Sequence, residues 1–479
     1  MNRALLILAA FLCFATHCFS QNFDGQRLSE RDLQGSARYV GMAGAFTSLG
    51  GDVSAVNDNP AALGVFRRGE VSGTLDVRLD DVSTGSVSNG TDKRMTLPQL
   101  AWVISFGHPE KQQGAIYHNL ILSYHRLKTY NRNSNFNTAL ASSQTDLIAR
   151  LTDGLSDTLL QGDAAWNNEE IGWLSKLGYE GYLIDPVAGS RWQSVYPYDQ
   201  SIRTVLDISE AGVQNEYTLG WGMNYSNCLY IGASAAIRTL QYSRATTLTE
   251  TFENLTAYQL YSSLTAQGWG INAAAGVIWR PADYIRLGVS LRTPTLTRVN
   301  FRNYSEIKSG VNVNLNTLIE ISTPVNSYSE NRMYEPMRLT AGIAFVLAQK
   351  ALLSLEYDYD HASSYQLADV HFMKFGMETA IKNNWFVRAG YACQSPFAAA
   401  VHYYPHYADT RTDTDYQNHT ITHFFNVGAG WRNNSWLVDI AYQCRWQHED
   451  EYAYYMAAAM PMDALTHRLV FSFGWTYRR

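Results

Sequence analysis

The residues whose type and spacing best suit chemistry are two histidine pairs. His402 and His406, and again His419 and His423, stand four apart, with Asp413 and Asp415 between the pairs. Imidazoles and carboxylates so arranged suit a divalent metal or the iron of haem, if the backbone brings them together. The surrounding stretch is Tyr-rich and lacks helical periodicity, so spacing alone assigns no metal and no cofactor. The chain contains no G-x-S-x-G, no H-E-x-x-H and no phosphate loop. A Ser, His and acid converging in space would still make a hydrolase. With no motif to place them, the expectation is a protein that is not an enzyme.

A second set of charged residues has a clear rhythm. In SWLVDIAYQCRWQ (435–447), Trp436, Val438, Ile440, Tyr442, Cys444 and Trp446 fall on one face of a strand, and Asp439, Ala441, Gln443 and Arg445 on the other. Leu469, Phe471, Phe473 and Trp475 alternate in the same way with Arg468, Val470, Ser472 and Gly474, and Leu355 and Tyr357 with Glu356, Asp358 and Asp360. Aromatic ends on an apolar row suit a strand that meets two membrane interfaces. On the opposite face, Glu356, Asp358, Arg388, Asp439 and Arg445 would have to pair as a polar network inside a lumen.

The elements that position these rows follow from composition and turns. The first twenty residues, with Arg3 before the apolar run Ala4 to Ala15, read as a cleaved signal peptide. No later stretch is long and apolar enough for a membrane helix, while Tyr, Trp and Gly are abundant and charged residues make up only 17%. A net charge of −6 without a basic stripe argues against nucleic acid. Cys228, Cys393 and Cys444, the three beyond the signal, make no disulfide framework or zinc spacing.

Six short turns, at 107–114, 226–227, 281–283, 349–350, 383–384 and 433–434, alternate with seven longer excursions near 81–95, 131–212, 246–267, 293–335, 362–369, 394–420 and 448–465. The expectation is therefore an all-β protein: a transmembrane antiparallel β-barrel of fourteen strands over 70–479, with both ends in the periplasm of a Gram-negative bacterium. A lumen that wide needs filling. Residues 21–69 hold Gly41, Gly44, Gly50 and Gly51 among alanines, and then the turn formers Asn57, Asp58, Asn59 and Pro60. Such a segment suits close packing as a plug.

SARYVGMAGAFTSLGGDVSAVNDNPAALG, followed by that strand pattern, resembles the FadL family of outer-membrane transporters for long-chain fatty acids and aromatic hydrocarbons. The motif that carries the resemblance is Asn59-Pro60-Ala61. The resemblance implies a hatch held by these three residues in a gating role, a hydrophobic ligand bound beside it, passive release through a wall opening, and outer-membrane lipid as surroundings. Pro98 is a candidate for that opening, because proline removes a ladder donor.

Within 131–212, Leu147, Ile148, Leu151 and Leu155 have helical spacing, as do Ile171, Leu174 and Leu177. An external lid with Leu147, Leu151, Trp173, Leu174 and Leu177 as a greasy landing site is one expectation; mutual packing of the helices is the other. FadL-like barrels also serve as surface carriers of exported proteins, so a scaffold with a filled lumen is the alternative function. A general porin conflicts with the plug.

Overall fold

The computed structural model describes residues 28, 30–84, 87–107, 110, 113–195, 202–252, 257–310, 319–324, 329–347, 350–361, 369–382, 384–396, 410–412, 416–455 and 457–477. The expected signal peptide, His402, His406, Asp413 and Asp415 lie outside the described residues, as do the side chains of 416–419.

Fourteen strands succeed one another around a closed wall. They are β1 Gly69–Thr84, β2 Val87–Gly107, β3 Ala115–Thr129 with its extension Arg132–Leu140, β4 Ile202–Tyr225, β5 Leu229–Thr251, β6 Ala257–Ala282, β7 Ile285–Arg292 with Thr295–Ser309, and β8 Ser329–Glu335 with Met337–Leu347. The circuit continues through β9 Ala351–His361, β10 Val370–Ala380, β11 Trp385–Gln394, β12 Tyr416–His419 with Thr422–Arg432, β13 Trp436–Tyr452 and β14 Ala459–Tyr477. Neighbours pair antiparallel, and β14 returns to β1 in unbroken register from Gly69↔Tyr477 to Thr84↔Met462. Closure leaves no sheet edge to aggregate.

Polarity is inverted relative to a soluble protein. Trp436, Val438, Ile440, Tyr442 and Trp446 are exposed, while Asp439 and Gln443 are buried behind them. This is the arrangement of a wall with lipid outside and polar groups within. Ser226 and Asn227 adopt φ of 53° and 55°, the left-handed pair that a two-residue hairpin turn requires.

Several expected loops are strand. The excursion at 81–95 is β1 and β2 continuing to Thr84 and from Val87, and those at 246–267, 293–335 and 448–465 are likewise mostly ladder. The reason is the height of the lipid band. On β5 the exposed large apolar residue is Ile237, yet pairing with β6 runs on to Thr251. Beyond the lipid the outer face meets water, so the outward apolar row ends while the ladder persists, and inward residues such as Leu240 and Leu248 are buried in clusters of their own.

The chain between β3 and β4 forms an external cap. Helix Gln144–Thr152 begins in a capping box, in which Ser143 and Asp146 satisfy each other's backbone donors. Helix Trp173–Glu180 and a small hairpin, Ile184–Val187 with Arg191–Ser194, complete it. The segment 30–68 lies inside the barrel, with short helices Ala37–Gly41 and Ala55–Asp58 and the 3-10 helix Pro60–Val65.

Candidate functional site

Asn59 joins the inner segment to itself and to the wall. Its Oδ1 accepts from the Ala61 amide at 2.9 Å, which caps the 3-10 helix, and its Nδ2 donates to the Thr47 carbonyl at 2.8 Å and to Val277 on β6 at 3.4 Å. Pro60 follows as the first helical residue, where its missing amide costs nothing. From β3, Asn119 reaches the end of the same turn and donates to the carbonyls of Leu63 and Phe66 at 2.6 and 2.9 Å.

Asn59, Pro60 and Ala61 press against bare backbone. A Cβ on Gly276 would strike Asn59, one on Gly232 would strike the Pro60 carbonyl, and one on Gly288 would strike Thr47. Further round, a Cβ on Gly222 would lie 2.5 Å from Leu63, one on Gly376 2.5 Å from the Met42 carbonyl, and one on Gly390 2.6 Å from the Ala43 amide. β4, β5, β6, β7, β10 and β11 thus each offer a glycine to the inner segment, in register as Gly222↔Gly232, Gly232↔Gly276 and Gly376↔Gly390. The sequence analysis did not single out this belt. Its signal was one inward glycine near the middle of several strands.

Charge fastens what the belt seats. Glu356 accepts from the Thr47 amide and from Lys374 Nζ, both at 2.7 Å. Asp358 pairs with Arg31 at 2.6 Å and with Lys374 at 3.0 Å. Arg388 bridges Glu378 at 2.5 Å and Asp439 at 2.6 Å, while Arg38 of the inner segment makes two bonds of 3.0 Å to the same Glu378. Arg445 reaches Asp32 at 3.2 Å. The five lumenal residues singled out in the sequence therefore all sit in ion pairs, and the structure adds Arg38, Lys374 and Glu378.

Asp32 is buried, which would raise its pKa, but Arg445 and Arg78 hold the carboxyl well below the usual range. Its amide donates to the Leu127 carbonyl on β3 at 3.1 Å.

That contact lies beside a break in the wall. Opposite Leu75 the register of β2 slips, so that Thr74 pairs with Gln99 but Asp76 with Thr96, and Pro98 falls within the extra residue of this bulge. Pairing between β2 and β3 runs from Gly107↔Tyr117 to Gln99↔His125; among the described residues it goes no further. Higher up, the β3 extension leans back toward β1, and the Thr84 hydroxyl donates to the Asn135 carbonyl at 2.7 Å. The unpaired stretch between is backed by the first described residues, where Glu30 pairs with Lys128.

Leu28 fills an apolar socket next to this break. The socket is built by Tyr130, Leu240, Tyr242, Leu264, Val299 and Phe301, with Met333 and Ala266 completing the cluster. Leu240 and Tyr242 are inward residues on β5 between Arg238 and Arg244. Apolar residues inside a charged inner row were the signal available for it, and it was not read. Tyr130 and Tyr242 meet edge to face at 5.0 Å, and the Tyr130 hydroxyl reaches the Leu28 carbonyl at 3.4 Å.

The cap residues take the packing alternative. Leu147, Leu151, Leu174 and Leu177 are buried in one cluster with Ile148, Leu183 and Tyr454, reaching the tops of β4–β7 through Leu206, Leu248 and Ile307, and Trp173 is buried as well, edge to face with Trp166. The cluster is a core, with no open greasy face at these five. Below it Glu250, well above the lipid band, receives the Ser143 hydroxyl at 2.5 Å and the Gln144 amide at 3.1 Å. Burial pushes this carboxyl up to about 7. His423 stands on the outer face, with Nδ1 2.8 Å from the Tyr391 hydroxyl and its ring stacked on Trp446. No metal-ligating cluster occurs among the described residues.

With the plugged wall, the break and the socket in place, solved structures supply the comparison. A FadL homologue of Pseudomonas aeruginosa is 13% identical, covering 93% of this chain and 99% of its own, with a TM-score of 0.54. The chain has a FadL-type fold. The Ralstonia pickettii toluene transporter TbuX superposes on this FadL-type barrel with a TM-score of 0.53 at 12% identity, covering 93% of this chain and 99% of that one. The Pseudomonas putida toluene transporter TodX does so with 0.51 at 13%, covering 94% and 100%. No family model and no curated protein matches the sequence. At such identities the likeness is one of fold, and function must be argued from the site.

Proposed function

We propose that this FadL-type barrel carries hydrophobic small molecules passively across the outer membrane. The observation that carries the reading is the apolar socket occupied by Leu28, placed in an otherwise charged lumen and directly beside the break between β2 and β3. A molecule entering the socket must displace Leu28. The segment carrying Leu28 is the one whose Glu30 and Asp32 stand behind the break. Binding of apolar cargo and exposure of the gap are thereby coupled through five residues of chain.

The transporters of matching fold are named for toluene and monoaromatic hydrocarbons, which supports this class of cargo. Selectivity rests on burial of apolar surface, at about 25 cal/mol per Å², so affinity should grow with cargo size. On this reading Asn59, Pro60 and Ala61 hold the hatch, and Pro98 sets where the ladder stops.

The test is uptake of radiolabelled toluene and oleate by proteoliposomes, with Phe301→Ser and Leu264→Ser as socket variants. The expected result is saturable uptake that falls several-fold in both variants while ion conductance stays closed. Uptake indifferent to the socket, together with an exported protein that copurifies from native membranes, would favour the surface-scaffold reading instead.

A further inference from the structure

The short-turn face of the barrel holds a feature that cargo passage does not use. Beneath the hatch, between residues 49–53 and 65–68 and the wall, lies a cavity of about 450 Å³. Five arginines line it: Arg38, Arg67, Arg68, Arg286 and Arg432.

The carboxylates at its edge do not balance them. Asp439 is engaged by Arg388 at 2.6 Å. Asp52 accepts from the Ser36 hydroxyl and the Ser54 amide, both at 2.9 Å. Asp52, whose partners here are neutral groups, and Glu70 remain, against five guanidinium groups. Of these, Arg38 is neutralised by Glu378. Among the described residues, Arg67, Arg68 and Arg286 have no carboxylate at ion-pair distance. Arg432 is only 3.9 Å from Asp439, which is already held, and otherwise lies over the Phe386 ring.

Two donors on this lining stand out. Arg286 Nε and Arg432 Nε are both buried and without a hydrogen-bond partner. An unmade bond from a buried guanidinium is costly, and its planar fork suits a carboxylate or a phosphate. Arg286 also donates to the Leu49 carbonyl at 2.8 Å, immediately before the turn Gly50–Gly51 of the hatch. Whatever engages Arg286 therefore touches the hatch at a turn.

We propose that this periplasm-facing cavity is an anion site, in which the unmade donors of Arg286 and Arg432 attract oxyanion groups, carboxylate or phosphate, with Arg67 and Arg68 also lining the space. The group can come from a soluble anion or from the head of an anionic amphiphile. The proposal stands apart from the transport reading, because neither the socket nor the break contributes to it.

Phenylglyoxal footprinting of the full-length protein, read by mass spectrometry at each arginine, tests it. In non-ionic detergent, inorganic phosphate or octanoate should slow modification of Arg286 and Arg432 about tenfold, with exposed Arg191 of the cap hairpin as the unprotected reference. In nanodiscs, protection by phosphatidylglycerol without added anion would identify a lipid headgroup as the source; protection only on adding phosphate or octanoate would identify a soluble one. A calorimetric titration with phosphate should also lose its saturable heat in Arg286→Gln/Arg432→Gln and regain part of it in Arg286→Lys/Arg432→Lys. Absence of protection in every arm overturns the proposal, whether or not the variants fold. Equal protection of Arg191 overturns it as well, because it would mean general screening by ions. Toluene uptake measured in parallel reports on the transport reading alone.

Discussion

At the scale of the residue, the hatch depends on side chains that satisfy backbone groups. Asn59→Ala removes the cap on the Ala61 amide and the bond to Thr47. Such a cap is worth about 0.5–2 kcal/mol, so the variant should show brief conductance openings in planar bilayers while the barrel keeps its heat-resistant mobility on gels. Glu378→Ala should be harsher. It leaves Arg38 and Arg388 without their shared carboxylate, a loss of about 3–5 kcal/mol for a buried pair, and sustained leakage is expected.

Glu250 makes the cap sensitive to pH. Its carboxyl is raised to about 7 from an ordinary value of 4.5, so the attachment it supports is fully present below pH 4.5 and weakens as pH rises through 7. Limited proteolysis within 141–195 should accelerate between pH 5 and pH 8, and Glu250→Gln should flatten that profile. An unchanged slope in the variant would assign the effect to another group.

At the scale of the element, seating requires wall and hatch backbones to approach within a distance that admits no side chain. Gly276→Ala and Gly232→Ala should therefore open the pore, although each adds only a methyl group; conductance above that of Asn59→Ala is the expected order. Pro98→Thr should act in the opposite direction. Restoring a ladder donor at the bulge favours pairing beyond Gln99↔His125, and uptake should fall several-fold with no change in leakage.

Alternation made the wall legible from sequence, because lipid imposes it: Trp436 to Trp446 read correctly residue by residue. Strand ends were not legible, because above the lipid the outer faces of β5 and β6 turn polar while their inner faces mix charge with apolar residues such as Leu240, Leu248 and Leu264, which blurs the alternation. The cap helices were visible in their periodicity, but spacing could not tell a landing surface from a core. The socket escaped because its members come from β3 to β8 and share no local pattern.

At the scale of the whole molecule, the cap, the lumen and the hatch form three stacked layers inside one wall, each with its own cluster of buried apolar side chains. On the proposed transport route, cargo entering from outside would meet the cap core first, then the Leu28 socket beside the gap, and would meet the hatch only on failing to leave sideways. A deletion of the cap from 141 to 201 that leaves the ladders of β3 and β4 intact should therefore change the rate of toluene entry while ion conductance stays closed. A barrel that leaks after this deletion would place the seal in the cap.

The return of β14 to β1 also sets an order of assembly. Ala37 donates to the Ser472 hydroxyl and Leu33 accepts from Arg468, contacts that join an early part of the chain to the last strand made. A sequence separation of 435 residues is near the largest this chain allows. Contacts of such high order form slowly, since the intervening loop must close before they reward it. The hatch leaves the export machinery first and waits longest for its partners, so in transit it has to be kept from collapsing on its own alanines and glycines. On the outer-membrane reading, loss of periplasmic holding factors should deplete this barrel more than one whose lumen is filled by a late segment.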